Sequence, residues 1–156
     1  MMFPRAVILH MRRHPLDTCL SCWEAGFSFG LDYAARFDTL GAAYRAYADT
    51  VGRWFDLAGL RMQDIRYEDL VAAPEPVMRS VLGACRVPWD PACLSPATGG
   101  QIKTASVVQA RGGVSKNSVG RWERYRERLQ PLIAALGGMD WINASHSVAI
   151  RAADHP

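Results

Sequence analysis

The sequence predicts an α/β domain in which a short parallel sheet is flanked by helices. The first observation is residues 6–11, Ala-Val-Ile-Leu-His-Met, whose almost continuous apolar character is typical of a strand covered on both faces. The second is residues 62–71, MQDIRYEDLV, where Ile65 and Tyr67 would share one face of a second strand. The third is the apolar spacing of three and four residues between and after these segments, which indicates helices.

The first helix is predicted directly after the first strand. Arg12, Arg13 and His14 would form the turn, and Pro15 occupies the position that a helix favours for its first residue. Asp17 in the first turn lies near the positive end of the helix dipole. A strand, a tight turn and a helix N-terminus leave backbone N–H groups available to an anion, and the helix is expected to end between Trp23 and Ala25.

Two more helices follow the same reasoning. One is predicted to begin at Asp38 or Thr39 and to end at Gly59, and another to begin near residues 74–76 and to end near Cys85. The second is followed by VPWDP, a sequence that breaks helices.

The C-terminal third is predicted to contain a long loop, one helix and a loose tail. Residues 91–118 are rich in Gly, Ser, Thr and Ala with little periodicity, and loops of that length are usually functional or mobile. A helix is expected from about Val119, with a kink at Pro131, and residues 139–156 read as a tail. The apolar stripe of this helix would be Trp122, Tyr125, Leu129, Leu132 and Leu136.

Composition limits the function classes. The chain has 156 residues, 49% of them hydrophobic and 21% charged, so a single folded domain is expected rather than disorder. A net charge of +3 without long like-charge runs argues against nucleic-acid binding and favours a local pocket for one anionic ligand. There is neither an apolar run of about 18 residues nor a convincing signal peptide. A cytoplasmic protein with reduced thiols is therefore expected.

The four cysteines allow three interpretations. Cys19 and Cys22 have the spacing of a redox dithiol, but Cys19 lies about one turn inside the predicted helix and gains little from its dipole. A zinc site would add Cys85 and Cys93, whose seven-residue separation is wider than the usual ligand pair. The third and favoured interpretation is that all four are small buried hydrophobic residues, and no metal is expected.

An anion site is the remaining candidate. Arg13 would be fixed by the end of the strand, and its guanidinium fork suits a phosphate dianion. Ser21 on the following helix would add a hydroxyl contact. From residue types alone, a solvated arginine and a surface serine are an equally good explanation.

Three motifs carry a resemblance to a known family. RRHPLDTCLSCW resembles the 3′-phosphate-binding segment of sulfotransferases that use 3′-phosphoadenosine-5′-phosphosulfate (PAPS), with Arg13 and Ser21 at the phosphate-binding positions. IRYEDLVAAPEPVMRSVLGACRVPWDP resembles the segment in which a tyrosine, here Tyr67, contacts adenosine. TASVVQARGGVSKNSVGRWERY resembles the loop that closes over the nucleotide, and the resemblance gives its Arg111, Lys116 and Ser118 as nucleotide contacts.

The resemblance is closest to bacterial and tyrosylprotein sulfotransferases, including bacterial proteins with tetratricopeptide repeats. It implies a partial P-loop-NTPase-like sulfotransferase fold in which residues 1–138 are the C-terminal part of the domain and residues 139–156 the tail. The family's N-terminal strand, glycine-rich 5′-phosphosulfate loop and catalytic base have no counterpart here, and Glu24 is a speculative substitute for the base. The catalytic residues are therefore unassigned, and weak activity of these residues alone is expected.

The implied function is transfer of a sulfuryl group from PAPS to a hydroxyl acceptor of unknown identity. PAPS would be the co-substrate, with neither nucleic acid nor a membrane as partner. The first alternative is a non-catalytic nucleotide-binding or interaction fragment that associates through an exposed sheet edge. The second is a thiol oxidoreductase that uses Cys19 and Cys22.

Overall fold

The computed structural model describes most of the chain as two compact units. The described residues are 6–26, 30–57, 61–95 and 116–147, without the side chain of residue 116. Of the described residues, 6–12, 61–95 and 116–117 belong to the sheet unit, and 13–26, 30–57 and 118–147 belong to the helical unit.

The sheet unit is built on two parallel strands. β1 (Ile8–Arg12) pairs with β2 (Met62–Arg66), and the register places His10 opposite Asp64 and Arg12 opposite Arg66. α3 (Tyr67–Ala72) and α4 (Pro74–Cys85) follow β2 directly, and a 3₁₀ turn covers Pro91–Leu94. Parallel strands need a long crossover connection, and here residues 13–61 supply it.

The helical unit contains four α-helices and two 3₁₀ turns among its described residues. The helices are α1 (Pro15–Ala25), α2 (Phe37–Phe55), α5 (Gln130–Ala135) and α6 (Gly138–Ser147). The 3₁₀ turns are Asp32–Ala35 and Arg121–Tyr125. No helix in the described ranges combines the length and apolar character needed to cross a membrane.

The main hydrophobic core lies in the helical unit. Apolar residues of α1, α2, α5 and α6 meet there, and several are completely buried. α2 passes α5 so closely that a Cβ at Gly41 would lie 2.6 Å from the Cβ of Ala135, so only glycine fits at this crossing. Among the described residues, the fully buried apolar side chains are Pro15, Leu16, Cys19, Leu129, Leu132, Leu136 and Ile142.

α1 has the ends that its sequence predicts. Pro15 is its first residue, where the missing N–H costs nothing. Gly26 ends it in the left-handed region (φ 53°) and donates its N–H to the carbonyl of Trp23. These ends fix which side chains face inward and which lie at the N-terminal opening.

The predicted α/β fold class with a short parallel sheet is confirmed, and the boundaries differ in two places. β1 covers residues 8–12 and leaves Ile8, Leu9 and Met11 largely exposed, so the expectation of a strand covered on both faces is wrong. β2 ends at Arg66, and Tyr67 begins a helix, because Tyr-Glu-Asp-Leu supplies acidic residues to a first helical turn.

The C-terminal region also differs from its prediction. The single helix expected from Val119 is a 3₁₀ turn at Arg121–Tyr125 followed by α5, with Pro131 in the first turn of α5. The expected loose tail is instead the helix α6 as far as Ser147, because Ile142 is fully buried in the core. Residues 148–156, and residues 96–115 of the predicted loop, lie outside the described residues.

Candidate functional site

Arg13 and Ser21 converge beside α1. Arg13 precedes the helix by two residues, and Ser21 lies eight residues later on it. The Nη1 group of Arg13 donates a hydrogen bond of 3.1 Å to Oγ of Ser21, and both residues are half-buried. The structure thus brings a guanidinium and a hydroxyl, both donors to anions, to one point.

Arg13 is held by two further contacts within the helical unit. Its Nη2 group donates to the main-chain carbonyl of Ser118. The hydroxyl of Tyr44, on α2, donates to the carbonyl of Arg13 at 3.4 Å. Because both the main chain and the guanidinium are held, the direction in which Arg13 points is set by the fold.

Asp17 binds the segment that contains Ser118. Its side chain is 1% exposed, and its two oxygens accept from the N–H groups of Gly120 (2.7 Å) and Trp122 (2.9 Å). Gly120 has φ 70°, a conformation that glycine adopts without strain. A buried carboxylate is tolerated where hydrogen bonds replace its water, as they do here.

His14, at the start of α1, lies against two other rings. Its imidazole stacks on Trp122, with centroids 5.1 Å and planes 3° apart, and meets the ring of His146 edge-on at 4.9 Å. Trp122 itself is only 8% exposed and belongs to the core. The residue after Arg13 is therefore packed as firmly as Arg13 itself.

Glu24, the speculative substitute for the catalytic base, forms an ion pair with Arg121. Both of its carboxylate oxygens lie within 2.8 Å of Nη2 of Arg121. The pair joins the C-terminal half of α1 to the 3₁₀ turn that follows Gly120. Its position gives Glu24 a structural contact, and nothing in it points to proton abstraction.

The cysteines do not have the properties of a reactive dithiol. Cys19 is fully buried, and burial first, then the neighbouring Cys22, raises its pKa to about 12. Burial also raises the pKa of Cys22, although the charge of Arg13 opposes this. A redox pair needs a lowered thiol pKa. Within the described ranges, no three His, Cys, Asp or Glu side chains are grouped so that they would hold a metal ion.

The sheet unit contains its own buried carboxylate. Asp64 lies 2.7 Å from Nδ1 of His10 and accepts from Nε of Arg12 at 2.9 Å. Burial raises the pKa of Asp64, but the hydrogen bond from His10 and the charge of Arg12 outweigh it and leave the pKa below its ordinary value.

The remaining predicted site residues are placed as follows. Tyr67 is half-buried and begins α3 in the sheet unit. Ser118 meets Arg13 through its main-chain carbonyl. Lys116 opens a short 3₁₀ turn, Lys116–Ser118, and its side chain lies outside the described residues, as does all of Arg111.

Sequence reasoning missed the roles of Asp17 and Tyr44. The local sequence indicates Asp17 only as a charge near the helix dipole, and Tyr44 only as a residue of the helix predicted to begin at Asp38 or Thr39. A signal existed for Asp17, because an acid between Leu16 and Cys19 on an inward-facing turn needs buried partners. The identity of those partners, 103 and 105 residues away, was not readable from the local sequence.

Comparison with known proteins decides the family. The model of the sulfotransferase family matches residues 1–91, which include Arg13, Ser21 and Tyr67. The chain belongs to the sulfotransferase family. It is also 31% identical over 146 residues to an uncharacterized protein of Aquifex aeolicus (strain VF5).

A solved structure shows the same fold. The sulfotransferase domain from the curacin biosynthetic pathway superposes with a TM-score of 0.55 at 19% identity. The match covers 76% of this chain and 47% of that domain. Against the Aquifex aeolicus protein, 87% of this chain covers 18% of the relative. The chain thus spans less than half the length of both proteins.

Proposed function

We propose that this sulfotransferase chain supplies the 3′-phosphate- and adenosine-binding part of a domain that transfers a sulfuryl group from PAPS to a hydroxyl acceptor. In this proposal residues 1–138 correspond to the C-terminal part of the domain, in the bacterial and tyrosylprotein branch. The match of 76% of this chain to 47% of the curacin-pathway domain supports the part of this proposal that makes the chain one portion of a larger domain.

The pairing of Arg13 with Ser21 carries the proposal. The 3.1 Å separation of Nη1 and Oγ lets neighbouring oxygens of one phosphate accept from both groups. Ser21 accepts the Arg13 hydrogen bond with a lone pair, so its own O–H is still a donor. The site is half-buried, which strengthens a charged hydrogen bond relative to bulk water.

Each assigned residue would have a separate task. Arg13 and Ser21 would hold the 3′-phosphate, Tyr67 would place the adenosine, and Arg111, Lys116 and Ser118 would close over the nucleotide. These contacts lie far from the reacting sulfur, so they contribute by positioning the donor rather than by bond chemistry.

In the reaction, the acceptor oxygen forms a bond to sulfur while the bond between sulfur and the 5′-phosphate oxygen breaks. Adenosine 3′,5′-bisphosphate leaves with the electron pair of that bond, and the acceptor proton passes to a base. The base and the groups that hold the 5′-phosphosulfate are not among the residues assigned here.

Calorimetric titration with adenosine 3′,5′-bisphosphate tests the proposal. The wild-type protein should bind one equivalent, and Arg13→Ala should weaken binding about 10- to 100-fold, the worth of a hydrogen bond to a charged group. Arg36→Ala is the matched control, because it removes an equal charge from an exposed pair with Asp38 in the same unit. Absence of binding, or equal affinities of wild type and Arg13→Ala, would refute the proposed site.

The alternative of an interaction fragment has one observation in its favour. Ile8, Leu9 and Met11 of β1 are 38–48% exposed, as expected of a strand that lacks a cover. If this is the function, a folded protein would ignore the bisphosphate and self-associate in sedimentation experiments, and Leu9→Lys would abolish the association.

The oxidoreductase alternative is disfavoured by the buried Cys19. It predicts fast alkylation of that thiol at neutral pH, whereas the structure predicts that exposed Cys93 reacts first.

A further inference from the structure

We propose that Asp17 is a positioning residue that aims Arg13 at the 3′-phosphate through the main chain of residues 118–122. This inference rests on the proposed function, because it concerns the same phosphate site. It assigns a role in ligand selectivity to a carboxylate that would itself repel the ligand.

The first step is the fixation of the segment by Asp17. Its carboxylate is almost fully buried, and each oxygen accepts one short main-chain N–H bond, from Gly120 and from Trp122. Any shift of these two N–H groups would leave a buried charge without its partners, which is costly. Residues 120–122 are therefore held tightly against the first turn of α1.

The second step transmits this position to Ser118. Only Val119 separates Ser118 from Gly120, and Gly120 sets the turn with φ 70°. Because only one residue separates them, the Ser118 carbonyl can move little relative to the fixed N–H group of Gly120. That carbonyl accepts from Nη2 of Arg13.

The third step is the geometry of the guanidinium. The group is planar, so fixing the direction of Nη2 also fixes the direction of Nη1. Nη1 is the group that donates to Ser21 and that the proposed function directs at the phosphate. Asp17 therefore acts on the ligand through the Ser118 carbonyl and the planar head of Arg13.

A purely structural role for Asp17 makes a different prediction. Loss of structure would weaken binding of every adenine nucleotide to a similar extent. If Asp17 instead orients the guanidinium of Arg13, its substitution would weaken binding only of ligands that carry a 3′-phosphate. The ratio of affinities for adenosine 3′,5′-bisphosphate and adenosine 5′-monophosphate separates the two roles.

The experiment measures this ratio by calorimetry in wild type, Asp17→Asn and Glu24→Gln. Asn keeps the size of Asp but places an amide NH₂ against a main-chain N–H, so we expect the ratio to fall at least about 5-fold. Glu24→Gln breaks a different link between α1 and this segment, the ion pair with Arg121, and should leave the ratio unchanged. In an Arg13→Gln background, Asp17→Asn should lower the ratio no further.

The outcomes distinguish the two proposals. If the wild-type protein does not prefer the bisphosphate, the proposed function fails, and this inference fails with it. If the wild-type protein prefers the bisphosphate and Asp17→Asn keeps the full ratio, only the role of Asp17 is refuted. Additive losses in the double variant would refute it as well.

A measurement on the wild-type protein covers the case in which Asp17→Asn does not fold. The amide proton resonances of Gly120 and Trp122 report the two hydrogen bonds to Asp17. They should shift when adenosine 3′,5′-bisphosphate is added and change much less with adenosine 5′-monophosphate. If both stay unchanged while the bisphosphate binds, the coupling does not exist.

Discussion

Among the described residues, each of the two units of this sulfotransferase-family chain buries one carboxylate, and the two carboxylates are stabilised in different ways. In the helical unit, Asp17 accepts hydrogen bonds from neutral main-chain N–H groups beside the apolar core. In the sheet unit, Asp64 contacts the side chains of His10 and Arg12, and the apolar residues of β1 are largely exposed. The helical unit therefore depends mainly on apolar burial, and the sheet unit more on charge pairing.

This difference explains where the candidate phosphate site lies. A ligand that carries several charges needs donors whose positions do not change when it binds. Arg13 is held in the helical unit by the main-chain carbonyl of Ser118, and it lies two residues before the start of α1. Arg12, one residue earlier, is already paired with a carboxylate.

The largest expected effect tests the dependence on apolar burial. Leu132→Ala removes a completely buried side chain from the helical core and should lower the free energy of unfolding by about 2–5 kcal/mol. Leu9→Ala is the matched change on β1, where the side chain is 43% exposed, and should alter it by about 0.5 kcal/mol or less. Urea unfolding of both variants measures the two losses of unfolding free energy. Equal losses would show that the two units do not differ in their dependence on apolar burial.

The second prediction tests charge pairing in the sheet unit. Asp64→Asn leaves the guanidinium of Arg12, 12% exposed, without its carboxylate and should cost about 3 kcal/mol at pH 7. The pKa of Asp64 is lowered in the folded state, so its stabilisation is complete above its ordinary value of 3.8 and is lost as the pH falls through the folded value. The gap between wild type and variant should therefore narrow below about pH 4 in unfolding experiments.

Asp38→Asn is the control for this pH dependence. The hydrogen bond from Arg36 lowers the pKa of Asp38 to about 2, but both side chains are well exposed. The change should be much less destabilising than Asp64→Asn at pH 7. Similar losses in the two variants would mean that burial of Asp64 is irrelevant.

The third prediction sharpens the account of the helical core with two glycines of α2. Gly41→Ala places a methyl group 2.6 Å from the Cβ of Ala135 and should destabilise the protein by about 1–3 kcal/mol. At Gly52 a Cβ would meet nothing within 4 Å, so Gly52→Ala should stabilise by about 0.5–1 kcal/mol. Thermal unfolding gives both signs, and a stabilising Gly41→Ala would show that α2 and α5 are not closely packed.

The smallest expected effect concerns the ion pair of the helical unit. Glu24 and Arg121 are each about one-third exposed, so Glu24→Gln should cost less than about 1 kcal/mol. Its effect should shrink further in 1 M salt because exposed charges are screened. A loss as large as that of Asp64→Asn would show that charge pairing matters equally in both units.

Much of the fold was readable from the sequence because its signals are local. Pro15 and Gly26 mark the two ends of α1 by their own backbone preferences, and apolar spacing placed α2 and α4 to within a few residues. The sequence did not predict helix α6, because its stability comes from burying Ile142 in a core formed by distant residues. It did not predict the exposure of β1 for a related reason, since an apolar run does not specify what covers it.

The sequence alone indicated the family, through motifs that resemble those of sulfotransferases, and the family model over residues 1–91 confirms it. The sequence also placed Arg13 and Ser21 on the same short segment. Only the tertiary structure decided how Arg13 is held, because its partners Ser118 and Tyr44 come from remote parts of the chain. The same is true of Asp17, whose two N–H donors follow it by more than 100 residues. Local preferences act along the chain, whereas a buried charge is satisfied by whatever main-chain groups the packing of the core brings to it.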